Sequence, residues 1–176
     1  MRAGLLPAAA ALVLACTPAG SGAVSPTKGG EATDFSARDL EGRTFRLGEH
    51  LGRHAVLLDF WATWCQPCQA EFPHLQRLYT ENRERGFVVV AIAMDGPETI
   101  AEVPSFVRRN NLTFPVVLDE DSRIAALYNP RKAAPLSILI DKTGRIVKVR
   151  EGFNPGDDAL LEADVRAVLA ETAPTP

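Results

Sequence analysis

Two cysteines separated by two residues, Cys65 and Cys68, are the side chains of this sequence with the clearest capacity for chemistry. They follow the apolar run AVLLDF (55–60), within the stretch DFWATWCQPCQAEFP (59–73). Paired thiols at this spacing can ligate a metal, form a structural disulfide, or pass electrons by cycling between dithiol and disulfide. The residues around the pair, and the elements that carry it, discriminate among these uses.

Metal binding and a purely structural crosslink both fit the pair poorly. A zinc site needs four ligands, and beyond the pair the chain offers only Cys16 and three histidines, none in a second paired motif. A disulfide that closes so small a loop removes little chain entropy and therefore adds little stability. Redox chemistry remains, and it suits a chain whose first residues are typical of export. We therefore interpret the pair as a redox-active dithiol that requires no metal and no cofactor.

The position of the pair between a strand and a helix predicts how the two thiols differ. The segment 67–85 has apolar residues three to four positions apart and closes at Gly86, which predicts an amphipathic helix. A thiolate at a helix N-terminus is stabilised by unpaired backbone N–H groups and by the positive end of the helix dipole. We expect Cys65, near the cap, to be the exposed nucleophile and Cys68, one turn into the helix, to be the more buried resolving thiol.

The rest of the folded part alternates between runs of strand length and segments of helical period. A hairpin is predicted around Glu41-Gly42, and another around Lys142-Thr143-Gly144. Pro104 makes the first turns of one predicted helix uncertain. The alternation predicts an α/β fold around a mixed sheet. The predicted strands are 55–60, 87–94, 115–119, 136–141 and 145–151, and the further predicted helices are 97–110, 121–128 and 155–170.

The first residues are typical of an export signal. Arg2 supplies the positive charge, and the apolar stretch 3–14 is too short to span a bilayer. The stretch ends in Val-Leu-Ala-Cys, which resembles a bacterial lipobox, so that Cys16 would be lipidated and become the mature N-terminus. An ordinary secretory signal, with Cys16 incidental or removed, is the alternative. We expect a lipoprotein of the cell envelope, anchored to the membrane through Cys16 and facing the periplasm or the outer surface.

The composition divides the chain into three parts. Residues 16–31 are rich in Gly, Pro, Ser and Thr, which is typical of a flexible tether. We expect a signal peptide at 1–15, a lipidated tether at 16–31 and one folded domain at 32–176. The net charge of −3 is mild, and no basic run or aromatic-basic stripe indicates nucleic-acid binding.

The motif WATWCQPC, preceded by AVLLDF, resembles the thioredoxin superfamily, and within it the membrane-tethered thiol-disulfide oxidoreductases of the TlpA/ResA type, a redoxin (AhpC/TSA-like) group. The resemblance extends over residues 32–170, because the cysteine motif, Pro73, a mid-chain insertion and Pro135 follow in order. It implies a thioredoxin-like α/β fold, with a central mixed β-sheet flanked by helices, an N-terminal β extension and a mid-chain insertion.

The resemblance also implies roles for residues outside the cysteine pair. Trp64 would form part of the surface that contacts a partner, and Pro73 would kink the active-site helix. Pro135 would be the cis-proline that faces the disulfide, with Ala134 supplying backbone to the bound partner. The alternative for Pro135 is simply the first residue of a strand, where proline is tolerated.

Two acids beside the motif, Asp59 and Glu71, are candidate proton acceptors. Asp59 lies inside an apolar strand, so its pKa should be raised; in thioredoxin an acid at this position assists deprotonation of the resolving thiol. Its alternative is a hydrogen-bonded structural acid. Glu71 lies about one turn after Cys68 and matches a glutamate of ResA-type proteins, whereas its alternative is a solvated first-turn acid that favours the helix dipole. The sequence leaves open which acid accepts the proton.

The direction of electron flow depends on how strongly the Cys65 thiolate is stabilised. A cationic or histidine residue between the cysteines would make the disulfide a strong oxidant. Gln66 and Pro67 supply no charge, so we expect a less oxidising pair that reduces its partners. The resemblance implies that these partners are exported proteins with oxidised cysteines, such as apocytochrome c, and that a membrane thiol donor reduces the pair again.

Other functions stay open as alternatives. A thiol oxidase would use the same cysteines in the opposite direction. A peroxiredoxin would need the pattern Pro-x-x-x-Thr-x-x-Cys, whereas Thr63 lies only two residues before Cys65. A copper chaperone of the Sco type has wider cysteine spacing and a distal histidine, a role for which His50, His54 and His74 are poorly placed. An adaptor lipoprotein of the same fold would need redox-silent thiols.

Overall fold

The structure is a computed structural model, and it describes residues 27–171. In chain order its strands are β1 (Ser36–Arg38), β2 (Thr44–Arg46), β3 (Ala55–Trp61), β4 (Phe87–Ala93), β5 (Val116–Leu118), β6 (Leu136–Ile140) and β7 (Ile146–Glu151). Its helices are α1 (Gln66–Asn82), α2 (Val103–Arg109), α3 (Arg123–Tyr128) and α4 (Asp157–Ala170). Short 3₁₀ turns lie at Leu47–Glu49, Arg83–Arg85 and Ile100–Glu102.

A five-stranded mixed sheet in the order β5-β4-β3-β6-β7 forms the centre of the fold. Strands β3, β4 and β5 are parallel, whereas β6 and β7 each run antiparallel to their neighbours. Helix α1 is the crossover that joins the parallel pair β3 and β4. Every residue of β3 and β6 is buried, which explains why these strands are continuous apolar runs. The predicted α/β architecture around a mixed sheet is confirmed.

Side chains that alternate across β3 divide the interior into two apolar cores. Leu57 and Trp61 face α1 and α4, where the Trp61 ring packs edge-on against Phe72 with centroids 4.8 Å apart. Val56, Leu58 and Phe60 face the opposite core, which contains residues of α3. Asp59 shares the parity of Leu57 and Trp61, so its carboxyl group points toward the α1 side of the sheet.

The N-terminal extension is a hairpin, as expected from Glu41-Gly42, and it is formed by β1 and β2. The folded part starts earlier than residue 32, however. The backbone N–H of Gly29 donates to the carbonyl of Ile146 at 2.7 Å, and Glu31 forms a bridge to Arg145. Placing residues 29–31 in the tether was therefore wrong, because their Gly-rich composition conceals backbone pairing with the start of β7.

One predicted helix is much shorter than expected. The segment 97–110 contains a 3₁₀ turn at Ile100–Glu102 and becomes α-helical only from Val103. Pro104 occupies the first turn of α2, where the N–H that it lacks would have no helical partner. The proline therefore marks the start of the helix.

The predicted signal peptide at 1–15, the predicted lipidation site Cys16 and most of the predicted tether lie outside the described residues. Among residues 27–171, no helix combines the length and the apolar character needed to cross a bilayer.

Candidate active site

The two cysteines form a disulfide at the start of α1, with sulfur atoms 2.01 Å apart and Cα atoms 5.3 Å apart. Cys65 is the N-cap residue of the helix, and its Sγ accepts a hydrogen bond from the backbone N–H of Cys68 at 3.2 Å. Pro67 lies in the first turn. Because an N–H group at a helix terminus also stabilises a thiolate, this geometry favours Cys65 as the sulfur that carries negative charge after reduction.

The exposure of the two sulfur-bearing residues differs less than expected. Cys65 is 4% exposed and Cys68 is fully buried. The expectation of an exposed Cys65 was therefore wrong for the oxidised protein, although the order of exposure holds. The residues next to the cysteines are more accessible: Trp64 is 62% exposed, and Gln66 and Pro67 are also exposed.

The loop that carries the motif is anchored by Asp95, a residue that sequence reasoning missed. Asp95 follows β4 and is buried. Its carboxylate accepts hydrogen bonds from the backbone N–H of Thr63 at 3.0 Å and from the Thr63 hydroxyl at 2.5 Å. Because β3 and β4 are parallel, their carboxyl ends meet at one edge of the sheet. An acid directly after the neighbouring parallel strand was the signal that could have identified this anchor.

The Ala134–Pro135 peptide bond is cis, as the resemblance implied. Leu136 pairs with Phe60 in the register of β6 and β3, so this peptide lies at the same sheet edge as the disulfide. The loop before it is closed by Asn129, whose side chain donates to the Ala133 carbonyl at 2.8 Å and accepts from the Ala133 N–H at 2.9 Å. Asn129 is a second positioning residue that the sequence pattern did not reveal.

The two candidate acids are both buried between α1 and the sheet. Asp59 is fully buried and Glu71 is 2% exposed, so the interpretation of Glu71 as a solvated acid was wrong. Glu71 follows Cys68 by about one turn and therefore shares the helix face that packs on the sheet. The Ser137 hydroxyl donates to Glu71 Oε1 at 3.0 Å. Within the described part of the chain, both carboxylate oxygens of Asp59 and Oε2 of Glu71 have no hydrogen-bond partner.

Burial of these acids changes their protonation. Desolvation, and secondly the nearby charge of Glu71, raise the pKa of Asp59 well above its usual range, against the opposing effect of the Ser137 hydroxyl. Desolvation likewise raises the pKa of Glu71 to about 7, against the opposing effects of the Ser137 hydrogen bond and the Arg150 charge. Both acids are therefore able to carry a proton near neutral pH.

The histidines lie away from the thiols. His50 and His54 precede β3, with their Nδ1 atoms 3.3 Å apart, and the strand of about 20 Å separates them from the motif at its other end. His74 lies on α1, with Nδ1 3.7 Å from a carboxylate oxygen of Asp158. The structure thus brings none of the three beside the cysteine pair.

Comparison with known proteins gives the class of protein that this geometry belongs to. A crystal structure described as a putative thiol:disulfide interchange protein DsbE from Chlorobium tepidum superposes with a TM-score of 0.76, at 33% identity, over 83% of this chain and 100% of its own length. The fold is therefore thioredoxin-like, and the site is that of a thiol-disulfide oxidoreductase.

The sequence relatives agree with this class. Thiol-disulfide oxidoreductase ResA of Bacillus cereus is 41% identical over 120 residues, which is 68% of this chain and 67% of that protein. ResA of Halalkalibacterium halodurans is 40% identical over 124 residues, or 70% of this chain and 68% of that protein. The model of the AhpC/TSA family matches residues 29–149, and the chain belongs to that family.

Proposed function

We propose that the protein is a membrane-tethered reductase of disulfide bonds in exported proteins, oxidised apocytochrome c among them. The observation that carries this direction is the charge around the cysteine pair. Gln66 and Pro67 are uncharged. The acids Asp59 and Glu71 are buried between the start of α1 and the sheet, where the cation Arg150 is paired with Asp164. Because no cation lies between the cysteines, the Cys65 thiolate gains less stabilisation and the disulfide is a weaker oxidant.

The first half of the reaction is attack on the partner. The Cys65 thiolate bonds to one sulfur of the partner disulfide, the partner S–S bond breaks, and the other partner sulfur leaves as a thiolate that takes a proton from water. The exposed indole of Trp64 and the backbone of Ala134 flank the pair and would hold the partner in this mixed disulfide. Pro135 would keep the Ala134 backbone facing the disulfide.

The second half releases the reduced partner. Cys68 gives its proton to a buried carboxylate, and its thiolate attacks Cys65 Sγ. The bond between Cys65 and the partner breaks, and the partner sulfur leaves as a thiolate that takes a proton from water. Two electrons have then passed to the partner, and the Cys65–Cys68 disulfide is restored. A thiol donor in the membrane returns two electrons to begin another cycle.

The proposal includes a location in the cell envelope. Its support is the apolar leader that ends at Cys16, with a Gly/Pro/Ser-rich stretch between Cys16 and the folded part. In cells supplied with radiolabelled palmitate, the natural chain should become labelled and the Cys16→Ser variant should not. Incorporation into the variant, or into neither protein, would exclude the lipid anchor.

The reduction potential of the cysteine pair tests the direction. We expect equilibration of the full chain against glutathione to give about −250 mV or lower, near the thioredoxin end of the range. A value near −120 mV, at the strongly oxidising end, would instead make the protein a thiol oxidase. The hydrogen bond from the Cys68 N–H to Cys65 Sγ is the observation that favours this second candidate.

A further inference from the structure

A row of three polar side chains crosses the sheet beneath α1. Asp59 of β3 pairs with Ser137 of β6, and Ser137 pairs with Arg150 of β7. Directly opposed residues of antiparallel strands project from the same face, so all three point toward α1 and α4. Glu71 approaches this row from α1, where its Oε1 receives the Ser137 hydroxyl. Four polar groups on four different elements therefore converge in an otherwise apolar core.

The surroundings of the two carboxyl groups are unequal. Glu71 Oε1 accepts the Ser137 hydroxyl at 3.0 Å, and the positive charge of Arg150 acts on Glu71. The same hydroxyl also lowers the pKa of Asp59, but within residues 27–171 no donor meets hydrogen-bond geometry for either Asp59 oxygen. Two ionised carboxylates side by side in a desolvated site would repel each other strongly. One of the two must therefore be protonated near neutral pH, and the unequal donors decide which one.

We propose that Asp59 and Glu71 hold a single proton between them in the oxidised protein, and that Ser137 is the positioning residue that keeps this proton on Asp59 and leaves Glu71 ionised. The pair then has room for one more proton, and Glu71 is the group that receives it. This last step rests on the proposed function, in which Cys68 must lose a proton before it attacks Cys65.

The other charged groups of the site act on Glu71 in both directions. Arg150 lowers the pKa of Glu71, and Asp157 at the start of α4 raises it. Asp164 of α4 draws part of the Arg150 charge away, since it binds Arg150 at 2.9 Å and Lys148 at 3.1 Å. With these charges partly cancelled, the geometry of the Ser137 hydroxyl distinguishes the two carboxyl groups, because it lies near both and its hydrogen bond is formed with Glu71.

The assignment gives the two acids different tasks. Asp59 stays neutral through the cycle, and its neutrality prevents the Glu71 pKa from rising further. Glu71, with a pKa of about 7, is matched to the pH at which it must accept and return a proton. Because the two groups interact, their measured midpoints belong to the pair, with the lower step located mainly on Glu71.

Carbon-13 NMR titration of the side-chain carboxyl carbons tests this directly in the oxidised full chain, where neither Cys65 nor Cys68 titrates. We expect the Glu71 carbon to titrate near neutral pH, while the Asp59 carbon keeps the shift of a protonated acid through that range. In Asp59→Asn the Glu71 midpoint should stay within about 0.3 pH unit, because a neutral amide replaces a neutral acid. A fall of about one pH unit or more in that variant would show that Asp59 carries the charge and would overturn the proposal.

Ser137→Ala tests the positioning role. We expect it to raise the Glu71 midpoint by about one pH unit, since a hydrogen bond to the charged form is lost. Ser137→Thr should restore the midpoint, because it keeps the hydroxyl. Amide spectra show for each variant whether the fold is retained. Unchanged midpoints in a folded Ser137→Ala protein would exclude Ser137 as the positioning residue.

These titrations do not depend on the direction of electron flow. A reduction potential near −120 mV together with the expected titrations would remove the reductase and leave the carboxyl pair intact. A thioredoxin-like potential together with an ionised Asp59 would support the reductase and exclude the proposed carboxyl pair.

Discussion

Buried acids occur near the carboxyl ends of the three parallel strands, but their surroundings differ. After β4, the Asp95 carboxylate accepts the N–H and the hydroxyl of Thr63. After β5, Asp119 accepts two backbone N–H groups of α3, at 2.9 and 2.7 Å. Within β3, Asp59 is more deeply buried than either, and it has no donor among the described residues.

This difference separates structural acids from reactive ones. Hydrogen bonds to an ionised carboxylate offset its desolvation, so a well-supplied acid can stay charged and hold a loop in place. A carboxyl group with an unpaired oxygen, as in Asp59 and Glu71, is more stable when protonated, and it can therefore hold a proton. Burial alone does not identify the working acids of this protein. The number of hydrogen-bond donors around each carboxyl group does distinguish them.

The largest expected effect tests whether the cysteine pair that follows β3 carries out disulfide exchange. Cys65→Ser should abolish disulfide exchange, because the attacking thiolate is removed. Cys68→Ser should keep the first step and accumulate mixed disulfides through Cys65, which non-reducing gels and mass spectrometry of trapped partners would detect. If cells that produce Cys68→Ser contain no such adducts, exchange with exported proteins is not the function.

The next effect concerns proton transfer. Glu71→Gln should slow the release of mixed disulfides by about 10²-fold, the lower end for loss of a general base. In the natural chain the release rate should rise as pH increases through about 7, because Glu71 must be ionised to accept a proton, and this rise should vanish in the variant. Stopped-flow release of a fluorescent partner peptide measures both.

Glu81→Gln is the matched control for that experiment, because Glu81 lies on the same helix with a half-exposed side chain. It should leave the rate and its pH profile unchanged. An inflection near pH 7 that persists in Glu71→Gln would transfer the role of proton acceptor to another group.

The free energy of unfolding tests the comparison more sharply, because neutralising a proton-holding acid and neutralising a structural acid should change it with opposite signs. The folded-state pKa of Glu71 is raised from 4.5 to about 7, so the folded protein binds more protons than the unfolded chain between these values. Stability is therefore lost as pH rises from about 4.5 to 7, and Glu71→Gln should be the more stable protein at pH 8, by about 1–3 kcal/mol.

Asp95→Asn should instead be destabilised by about 1–3 kcal/mol, because an amide replaces a carboxylate that accepts two kinds of donor from Thr63. Urea denaturation of the oxidised proteins at pH 5 and pH 8 measures both changes. Equal signs for the two variants at pH 8 would contradict the division into structural and reactive acids.

The sequence predicts the strands and the helix that carry the site better than it predicts the hydrogen bonds between their side chains. Apolar runs and a closing Gly86 place the ends of β3, α1 and β4 within one to three residues, because burial and helix termination leave local signals. The Thr63–Asp95 bonds join residues 32 apart, and the Ser137–Glu71 bond joins residues 66 apart. No local pattern records such pairs, because strand order and register must be known before the residues can be matched.

The smallest expected effect lies at the surface, where neither burial nor donors are involved. Trp64→Ala should change the free energy of unfolding by less than about 0.5 kcal/mol, since its side chain is mostly exposed. If the indole contacts partners, kcat/KM for a protein disulfide should fall about fivefold or more, as for an aromatic residue in an interface. Reduction of a small disulfide such as oxidised glutathione should be unchanged.

Leu160→Ala on α4 is the matched control, because Leu160 is 55% exposed, and it should alter neither rate. An equal loss toward both substrates in Trp64→Ala would mean that the indole acts on the thiols themselves and not on the partner.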